Sequence, residues 1–161
     1  MNKILFVEDD RLYADTIEDF LSENGFDVDI VADGEAAIER LSQNRYDLYL
    51  IDLKLPKLGG FELLELIKNS GDDRLAIILT TNMNAHAAVK GFSLGCDDYI
   101  RKNCDLAELL ERIRRSIYRS YHSKSNWIDL KDGYMFDLSA KVLMRHGEIV
   151  ALKKKDKKGS E

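Results

Sequence analysis

Acidic residues follow two short apolar segments of this chain. The segment Ile4–Val7 leads directly into Glu8–Asp10, and the segment Leu48–Ile51 leads directly into Asp52. Each apolar segment has the length and composition of a buried β-strand. The carboxyl ends of parallel strands lie along one edge of an open α/β sheet, and that edge is where such sheets bind ligands. The sequence therefore predicts a group of carboxylates at one edge of a sheet.

Carboxylates held close together repel one another and favour protonation unless a cation neutralises them. Mg2+ suits such a group because it takes few protein oxygens, keeps several waters and typically shares its site with a phosphate. A simpler interpretation exists for each residue alone, with Asp10 as the N-cap of a helix and Asp52 in a turn before Pro56. It does not explain why both acidic segments follow strand-like segments. The pattern favours a Mg2+ site.

Two further strand-like segments end in a hydroxyl and an ammonium group. The segment Ala76–Leu79 leads into Thr80, and Asp97–Arg101 leads into Lys102. Taken singly, Thr80 is an ordinary β-branched strand residue and Lys102 an ordinary solvated charge. Together with a metal ion, they are what an aspartate needs to attack phosphorus, because they absorb negative charge on the phosphoryl oxygens. The four segment ends therefore favour phosphoryl chemistry at an aspartate of this edge.

The elements that must position these residues alternate along the chain in the order βαβαβαβαβα. This alternation predicts an α/β fold with right-handed crossovers and helices on both faces of a parallel sheet. We expect a five-stranded parallel sheet of strand order 2-1-3-4-5, doubly wound and flavodoxin-like, with Asp9 and Asp52 at the topological switch point. In the first helix, periodicity predicts an apolar stripe made of Leu12, Ile17, Phe20 and Leu21.

The pattern changes after residue 121. Four short strand-like segments separated by turn residues predict a short antiparallel β appendage at the C-terminus. We expect a main domain at 1–121, a linker at 122–126, the appendage at 127–152 and a basic tail at 153–161. Residues 1–120 carry 23 acids and 15 bases, whereas residues 121–161 carry 6 acids and 9 bases. The acidic main domain is a poor partner for nucleic acid, because phosphate neutralisation dominates duplex binding.

Other side-chain patterns are uninformative about chemistry. The chain has two cysteines, and no apolar segment approaches the length of a signal-peptide core or a membrane span. These features favour a cytoplasmic protein with free thiols and no membrane partner. No spacing of cysteine and histidine suggests zinc. Three histidines are expected to be isolated surface residues, namely His86, His122 and His146.

The ordered motifs VEDD, DLKLP, ILTT and DDYIRK resemble the receiver domain of two-component response regulators, over roughly residues 1–121. The later segment GYMFDLSAKVLMRHGEIVAL resembles the opening strands of the effector domain of OmpR/PhoB-type regulators. The resemblance implies a phosphoacceptor rather than an enzyme, with a sensor histidine kinase as its partner and transcription regulation as its output. In that family, helices follow the opening strands, and one of them reads the DNA major groove. Here the basic segment Lys153–Asp156 stands where the family usually begins a new helix. The resemblance therefore implies DNA binding only through a fuller effector domain.

The resemblance also implies roles for individual residues. Asp52 is the phosphoacceptor, Lys102 pairs with the phosphoryl group, and Thr80 donates a hydrogen bond to it. Tyr99 then rotates inward as Thr80 moves, which changes the face formed by the fourth helix, the fifth strand and the fifth helix. The implied Mg2+ ligands are Asp9, Asp52 and the backbone carbonyl of Lys54, with Glu8 acting through water.

The same face implies a homodimer. By resemblance, receivers of the OmpR/PhoB type pair symmetrically through the fourth helix, fifth strand and fifth helix, using charged pairs around a small apolar patch. One pair is missing here, because Ala88 stands where an arginine would meet Glu108. The residues that the resemblance places on this face are Lys90, Asp98, Glu108, Arg112 and Arg119. Simple turn acids and a solvated helix end explain any one of these residues equally well.

Two further points concern departures and alternatives. Asn103 stands where the family usually has proline, and a cis bond before a non-proline residue costs about 2.5–4 kcal/mol, so we expect a trans bond between Lys102 and Asn103. The alternative function is a phosphorylation-independent protein-interaction module of the same fold. An aspartyl-phosphate phosphatase is disfavoured, because Lys54 stands where such enzymes place a second acid. No glycine-rich nucleotide motif follows the first strand.

Overall fold

The computed structural model describes residues 2–122, 127–137, 142–146 and 148–152. The chain divides into two compact units, residues 1–110 and residues 111–161. Residues 123–126 of the predicted linker and the predicted basic tail at 153–161 lie outside the described residues. The domain boundaries stay predictions.

The first unit alternates strands and helices as predicted. Its strands are β1 (Lys3–Val7), β2 (Asp27–Val31), β3 (Leu48–Ile51), β4 (Leu75–Thr80) and β5 (Asp98–Arg101). Its helices are α1 (Arg11–Glu23), α2 (Gly34–Gln43), α3 (Gly60–Asn69), α4 (Ala85–Ser93) and the beginning of α5 (Leu106–His122). All strand pairs of the sheet are parallel, in the order β2-β1-β3-β4-β5. The predicted flavodoxin-like α/β fold is confirmed.

The central strands lie in the core of this unit. Every residue of β3 is buried, and so are four of the five residues of β1. Such strands read as continuous apolar segments because helices cover both faces of a parallel sheet. The same core includes Leu63, Leu64 and Ile67 of α3. Burial of β1 and β3 therefore fixes the positions of the acidic residues that follow them.

Helix α1 begins as its sequence predicts but buries a narrower stripe. Asp10 is its N-cap, with its side chain accepting a hydrogen bond from the Tyr13 amide. Ile17 and Leu21 are buried, whereas Leu12 is 82% exposed, so its assignment to the apolar stripe was wrong. Residues five apart in a helix do not share a face, because one turn takes 3.6 residues. Leu12 lies beside the stripe rather than on it.

The second unit contains α5 from Glu111 onward and a four-stranded antiparallel sheet. Its strands pair in sequential order and are β6 (Trp127–Asp129), β7 (Tyr134–Asp137), β8 (Val142–Arg145) and β9 (Glu148–Leu152). The predicted antiparallel appendage is confirmed. Tyr118 of α5 is buried in one cluster with Met135 and Met144 of the sheet. The helix thus supplies apolar surface that so small a sheet lacks by itself.

Among the helices that the structure describes, none has both the length and the apolar character needed to cross a bilayer.

Candidate functional site

Three predicted site residues each continue a strand of the sheet by one position. Glu8 follows β1, Asp52 follows β3, and Lys102 follows β5. Their amides donate hydrogen bonds to the carbonyls of Val31, Val7 and Thr80, at 2.9, 3.1 and 2.9 Å respectively. Because their backbones belong to the hydrogen-bonded ladder, their side chains start from fixed points at the carboxyl edge of the sheet.

The Lys102 ammonium lies between two buried carboxylates. Its Nζ is 2.7 Å from Oε1 of Glu8 and 3.2 Å from Oδ2 of Asp52. Both carboxylates are almost fully buried, at 2% and 4% exposure. Burial by itself lowers the pKa of Lys102, but the hydrogen bond to Glu8 and the charge of Asp52 outweigh it and raise that pKa. The structure therefore brings the predicted acceptor and the predicted ammonium together.

Glu8, Asp9 and Asp52 form the acidic cluster predicted from the sequence. Each offers a carboxylate oxygen, and these three oxygens lie within 4.8 Å of one another. Burial raises the pKa of Glu8, the hydrogen bonds from Lys102 and Asp10 lower it, and the nearby charge of Asp52 raises it, with a net upward direction. This cluster fits Mg2+, which prefers oxygen ligands and keeps several waters. Asp9 is exposed to solvent, so water can reach an ion bound there. The ligand roles of individual residues, including the backbone carbonyl of Lys54, stay predictions.

The predicted switch residues lie on neighbouring strands, Thr80 as the last residue of β4 and Tyr99 inside β5. Thr80 is buried, and its hydroxyl oxygen accepts a hydrogen bond from the Asn82 amide at 3.1 Å. The Tyr99 ring is also buried, and its hydroxyl donates to the Asn82 carbonyl at 2.5 Å. The ring therefore already lies inward in this structure, and the same residue, Asn82, contacts both side chains. Coupling of Thr80 to Tyr99 stays a prediction.

Gly60 holds the loop after Asp52 close to the site. Its amide donates to the Leu53 carbonyl at 3.1 Å. A Cβ atom at this position would lie 2.2 Å from the Asp52 carbonyl oxygen and 2.8 Å from the Leu53 Cα atom. The structure shows that α3 starts in direct contact with the backbone of Asp52, which only glycine permits.

Sequence reasoning missed Tyr13. Its hydroxyl donates to the Lys102 carbonyl at 3.2 Å, and the Lys102 ammonium lies 5.0 Å from the centre of its ring. Burial, together with the nearby charges of Cys104, Glu8 and Asp52, raises the pKa of the Tyr13 hydroxyl well above its usual value. The sequence signal was slight: an aromatic residue in the first turn of the helix that follows the acidic segment.

The residues of the predicted dimer face differ in exposure. Lys90, Glu108 and Arg119 are exposed, while Asp98 and Arg112 are half-buried. The Lys90 ammonium lies 4.8 Å from the centre of the Phe61 ring. The dimer face stays a prediction. Between Lys102 and Asn103 the peptide bond is trans, as expected.

In the second unit, the expectation that His146 is an isolated surface residue was wrong. Its Nδ1 lies 2.7 Å from Oε2 of Glu111, and its side chain is 15% exposed. The turn between β8 and β9 brings the ring back to α5, where it also lies near the Tyr118 ring. No local sequence pattern predicts this contact, because the helix and the turn are far apart in the chain.

Comparison with known proteins identifies the family. Residues 4–114 match the family model of the response regulator receiver domain. The chain is 38% identical over 154 residues to the response regulator ArlR of Staphylococcus saprophyticus, covering 96% of this chain and 68% of ArlR. It is 30% identical over 156 residues to the transcriptional regulatory protein PcoR of Escherichia coli, covering 97% of this chain and 69% of PcoR. Another relative, the transcriptional regulatory protein DltR of Streptococcus agalactiae, is 35% identical over 128 residues, which are 80% of this chain and 57% of DltR.

Solved structures agree. The receiver domain of the Francisella response regulator 1452 superimposes with a TM-score of 0.71 at 30% identity, covering 74% of this chain and 99% of that domain. DrrB, an OmpR/PhoB homologue from Thermotoga maritima, superimposes with a TM-score of 0.67 at 27% identity, covering 96% of this chain and 68% of DrrB. This chain thus spans between about half and two thirds of the length of its curated relatives. It belongs to the response regulators of two-component systems, with a receiver domain and OmpR/PhoB-type relatives.

Proposed function

We propose that this chain accepts a phosphoryl group on Asp52 from a sensor histidine kinase and thereby controls an attached DNA-binding output. The observation that carries the proposal is the contact of the Lys102 ammonium with the buried Asp52 carboxylate, inside a cluster of three carboxylates. A buried carboxylate beside a fixed ammonium and a cation-binding cluster has what nucleophilic attack on phosphorus requires.

The proposed transfer follows from this geometry. One Asp52 carboxylate oxygen forms a bond to phosphorus while the phosphorus–nitrogen bond of a phosphohistidine breaks. The imidazole nitrogen keeps the bonding electron pair, and the Lys102 ammonium faces the oxygens of the transferred group. Glu8, Asp9 and Asp52 would hold Mg2+, which would supply further neutralisation of the phosphoryl charge. In this role the chain is a phosphoacceptor, not an enzyme that turns over a substrate.

The output of the proposed function is transcription regulation. It is supported by the names of relatives such as PcoR and DltR, which are transcriptional regulatory proteins. Phosphorylation of Asp52 adds charge beside Lys102. In the response that the family resemblance implies, a shift of Thr80 passes through Asn82 to Tyr99. DNA binding then requires a fuller effector domain than β6–β9.

The proposal is tested by phosphorylation with a small phosphodonor. We expect acetyl phosphate to add one phosphoryl group, seen by intact-mass spectrometry, when Mg2+ is present and not in excess EDTA. Asp52→Asn should remove the modification, whereas Asp19→Asn, an exposed acid on α1, should leave it unchanged. Labelling of Asp52→Asn at the wild-type level would contradict the assignment. A folded wild-type protein that takes no phosphoryl group would favour the phosphorylation-independent interaction module.

A further inference from the structure

The backbone of Lys102 is held on both sides. Its amide donates to the Thr80 carbonyl at 2.9 Å, and its carbonyl accepts the Tyr13 hydroxyl at 3.2 Å. The chain then turns, with the Cys104 amide donating to the Arg101 carbonyl at 3.2 Å. The residue after Lys102 is Asn103 rather than proline, so no pyrrolidine ring restricts the backbone at that position, and the peptide bond between the two residues is trans. The Tyr13 hydroxyl therefore helps to fix the direction of the Lys102 carbonyl.

The same tyrosine also faces the side chain of Lys102. The ammonium lies 5.0 Å from the centre of the ring, within the range of a cation–π contact. The ammonium also contacts Glu8 and Asp52. The ring is thus a third contact of the ammonium, and it opposes rotation of the long lysine side chain away from the two carboxylates.

Tyr13 is itself well anchored. Its amide donates to the carboxylate of Asp10 at the start of α1, at 3.2 Å. Its ring meets the ring of Phe6 edge-on, with centroids 6.3 Å apart and planes at 70°. Phe6 is fully buried in β1, two residues before Glu8. The ring therefore has a fixed position relative to the strand that carries the acidic cluster.

We propose that Tyr13 is a positioning residue for Lys102: its hydroxyl fixes the lysine backbone, and its ring directs the ammonium towards Asp52. This inference rests on the proposed phosphoacceptor function, since the ammonium is placed for the oxygens of an incoming phosphoryl group. Lys102 contacts those oxygens and Tyr13 does not, so Tyr13 acts through Lys102. Losing the tyrosine should slow the transfer step without changing binding of the phosphodonor.

The first test measures phosphorylation kinetics. With acetyl phosphate and saturating Mg2+, Tyr13→Phe should lower the maximal rate constant about threefold to tenfold, the worth of one hydrogen bond. Tyr13→Leu, which also removes the ring face, should lower it further, while the KM for acetyl phosphate stays unchanged in both variants. The matched control is Tyr46→Phe, which removes the hydrogen bond from a buried tyrosine hydroxyl to Asp29, near the opposite edge of the sheet. It should leave the rate constant unchanged.

The second test needs no phosphorylation. The ε-methylene NMR signals of Lys102, assigned by comparison with Lys102→Arg, should be displaced upfield by the tyrosine ring. They should stay displaced in Tyr13→Phe and return towards the position of exposed lysines in Tyr13→Leu. Unchanged Lys102 signals in Tyr13→Leu, or maximal rates equal to wild type in both Tyr13 variants, would overturn the inference. If wild-type protein takes no phosphoryl group, the phosphoacceptor proposal fails, and the NMR signals alone decide whether Tyr13 positions Lys102.

Discussion

At the scale of single residues, the site balances three carboxylates against one ammonium. Glu8 and Asp52 are buried, and Lys102 is the cation that contacts both of them in this structure. Removing one partner of a buried ion pair is costly, because the other charge is left without compensation. A metal ion at the same oxygens would provide that compensation. Lysine and Mg2+ are therefore expected to stabilise the same group of carboxylates.

This balance predicts how Lys102→Ala responds to Mg2+. In EDTA, the variant should lose about 3 kcal/mol or less of unfolding free energy, because Glu8 and Asp52 lose their cation. Added Mg2+ should raise the urea midpoint, measured by circular dichroism, more in the variant than in the wild type. As a control, Lys57→Ala breaks the ion pair of an exposed lysine with Asp33, and should change stability little and leave the Mg2+ response unchanged. An equal Mg2+ response in Lys102→Ala and wild type would argue against a shared site.

At the scale of elements, the site depends on close approaches between helices and strand ends. Helix α3 begins at Gly60, against the backbone of Asp52, and helix α1 carries Tyr13 over Lys102. In the second unit, α5 meets the turn of the small sheet through Glu111 and His146. The contacts of Tyr13 with Lys102 and of Glu111 with His146 join segments that are distant in the chain, so a local change on either side should affect the other.

The close approach of α3 to Asp52 predicts that alanine costs more stability at Gly60 than at the neighbouring Gly59. Gly60→Ala places a methyl group against the Asp52 carbonyl, so we expect a loss of about 1–3 kcal/mol of unfolding free energy and slower phosphorylation. In Gly59→Ala, the atom nearest to the new methyl group is a carboxylate oxygen of Glu62. This flexible side chain can move aside, so a much smaller loss of unfolding free energy is expected. Urea unfolding of both variants measures the difference, and equal losses would contradict the close approach.

The contact of α5 with the small sheet predicts a pH dependence. Burial lowers the pKa of His146, the carboxylate of Glu111 opposes this, and three arginines lower it further: Arg145, Arg114 and Arg115. The folded state therefore binds a proton less readily than the unfolded chain, whose histidine titrates near its ordinary pKa of about 6.5. Stability of this contact is complete above that pH and falls as the pH decreases below it.

The measurement is urea unfolding followed by the fluorescence of Trp127, the one tryptophan of the chain, which lies in β6. Between about pH 7.5 and about pH 5.5, the wild-type midpoint should fall more than that of His146→Asn, because only the wild type must protonate this histidine. Asparagine is chosen because it tolerates the positive φ of 52° at this position. His86→Asn, an exposed histidine on α4, should keep the wild-type pH dependence. A wild-type pH dependence in His146→Asn would contradict the role of this histidine.

At the scale of the whole molecule, the proposed signal is a change in assembly. Helix α4 exposes two large apolar side chains, Val89 at 67% and Phe92 at 51%. They lie on α4, which the family resemblance assigns to the dimer face together with Lys90 of the same helix and Glu108 of α5. Exposed charge pairs contribute only about 0–1 kcal/mol each, so the absence of an arginine at Ala88 should weaken a dimer rather than prevent it.

We therefore expect a two-fold dimer that is weak in unmodified protein and tighter with beryllofluoride and Mg2+. Sedimentation velocity over a range of concentrations measures both states. Phe92→Asp should weaken the dimer in both, because it places a charge in the apolar patch. Leu66→Asp, which changes an equally exposed leucine on α3, should leave the dimer unchanged. A monomer at high concentration in both states, or equal weakening by Leu66→Asp, would reject this surface.

The sequence by itself determined the parallel sheet, its strand order and the residues at its carboxyl edge. Continuous apolar segments such as Leu48–Ile51 are buried because helices cover both faces of the sheet. The residue after each such strand must then lie at one edge, which is why Glu8, Asp52 and Lys102 were predicted together. Strand periodicity also predicted the antiparallel appendage. These features depend on local patterns and on topology rules that hold for any chain.

Tertiary structure alone decided which side chains complete the site and which contacts secure it. Tyr13 contacts a residue 89 positions away, and no local pattern encodes that distance. His146 matched no pattern but is packed against Glu111. Periodicity reports which residues share a face of one element. It carries no information on which other element comes to lie against that face, because packing between distant segments determines it.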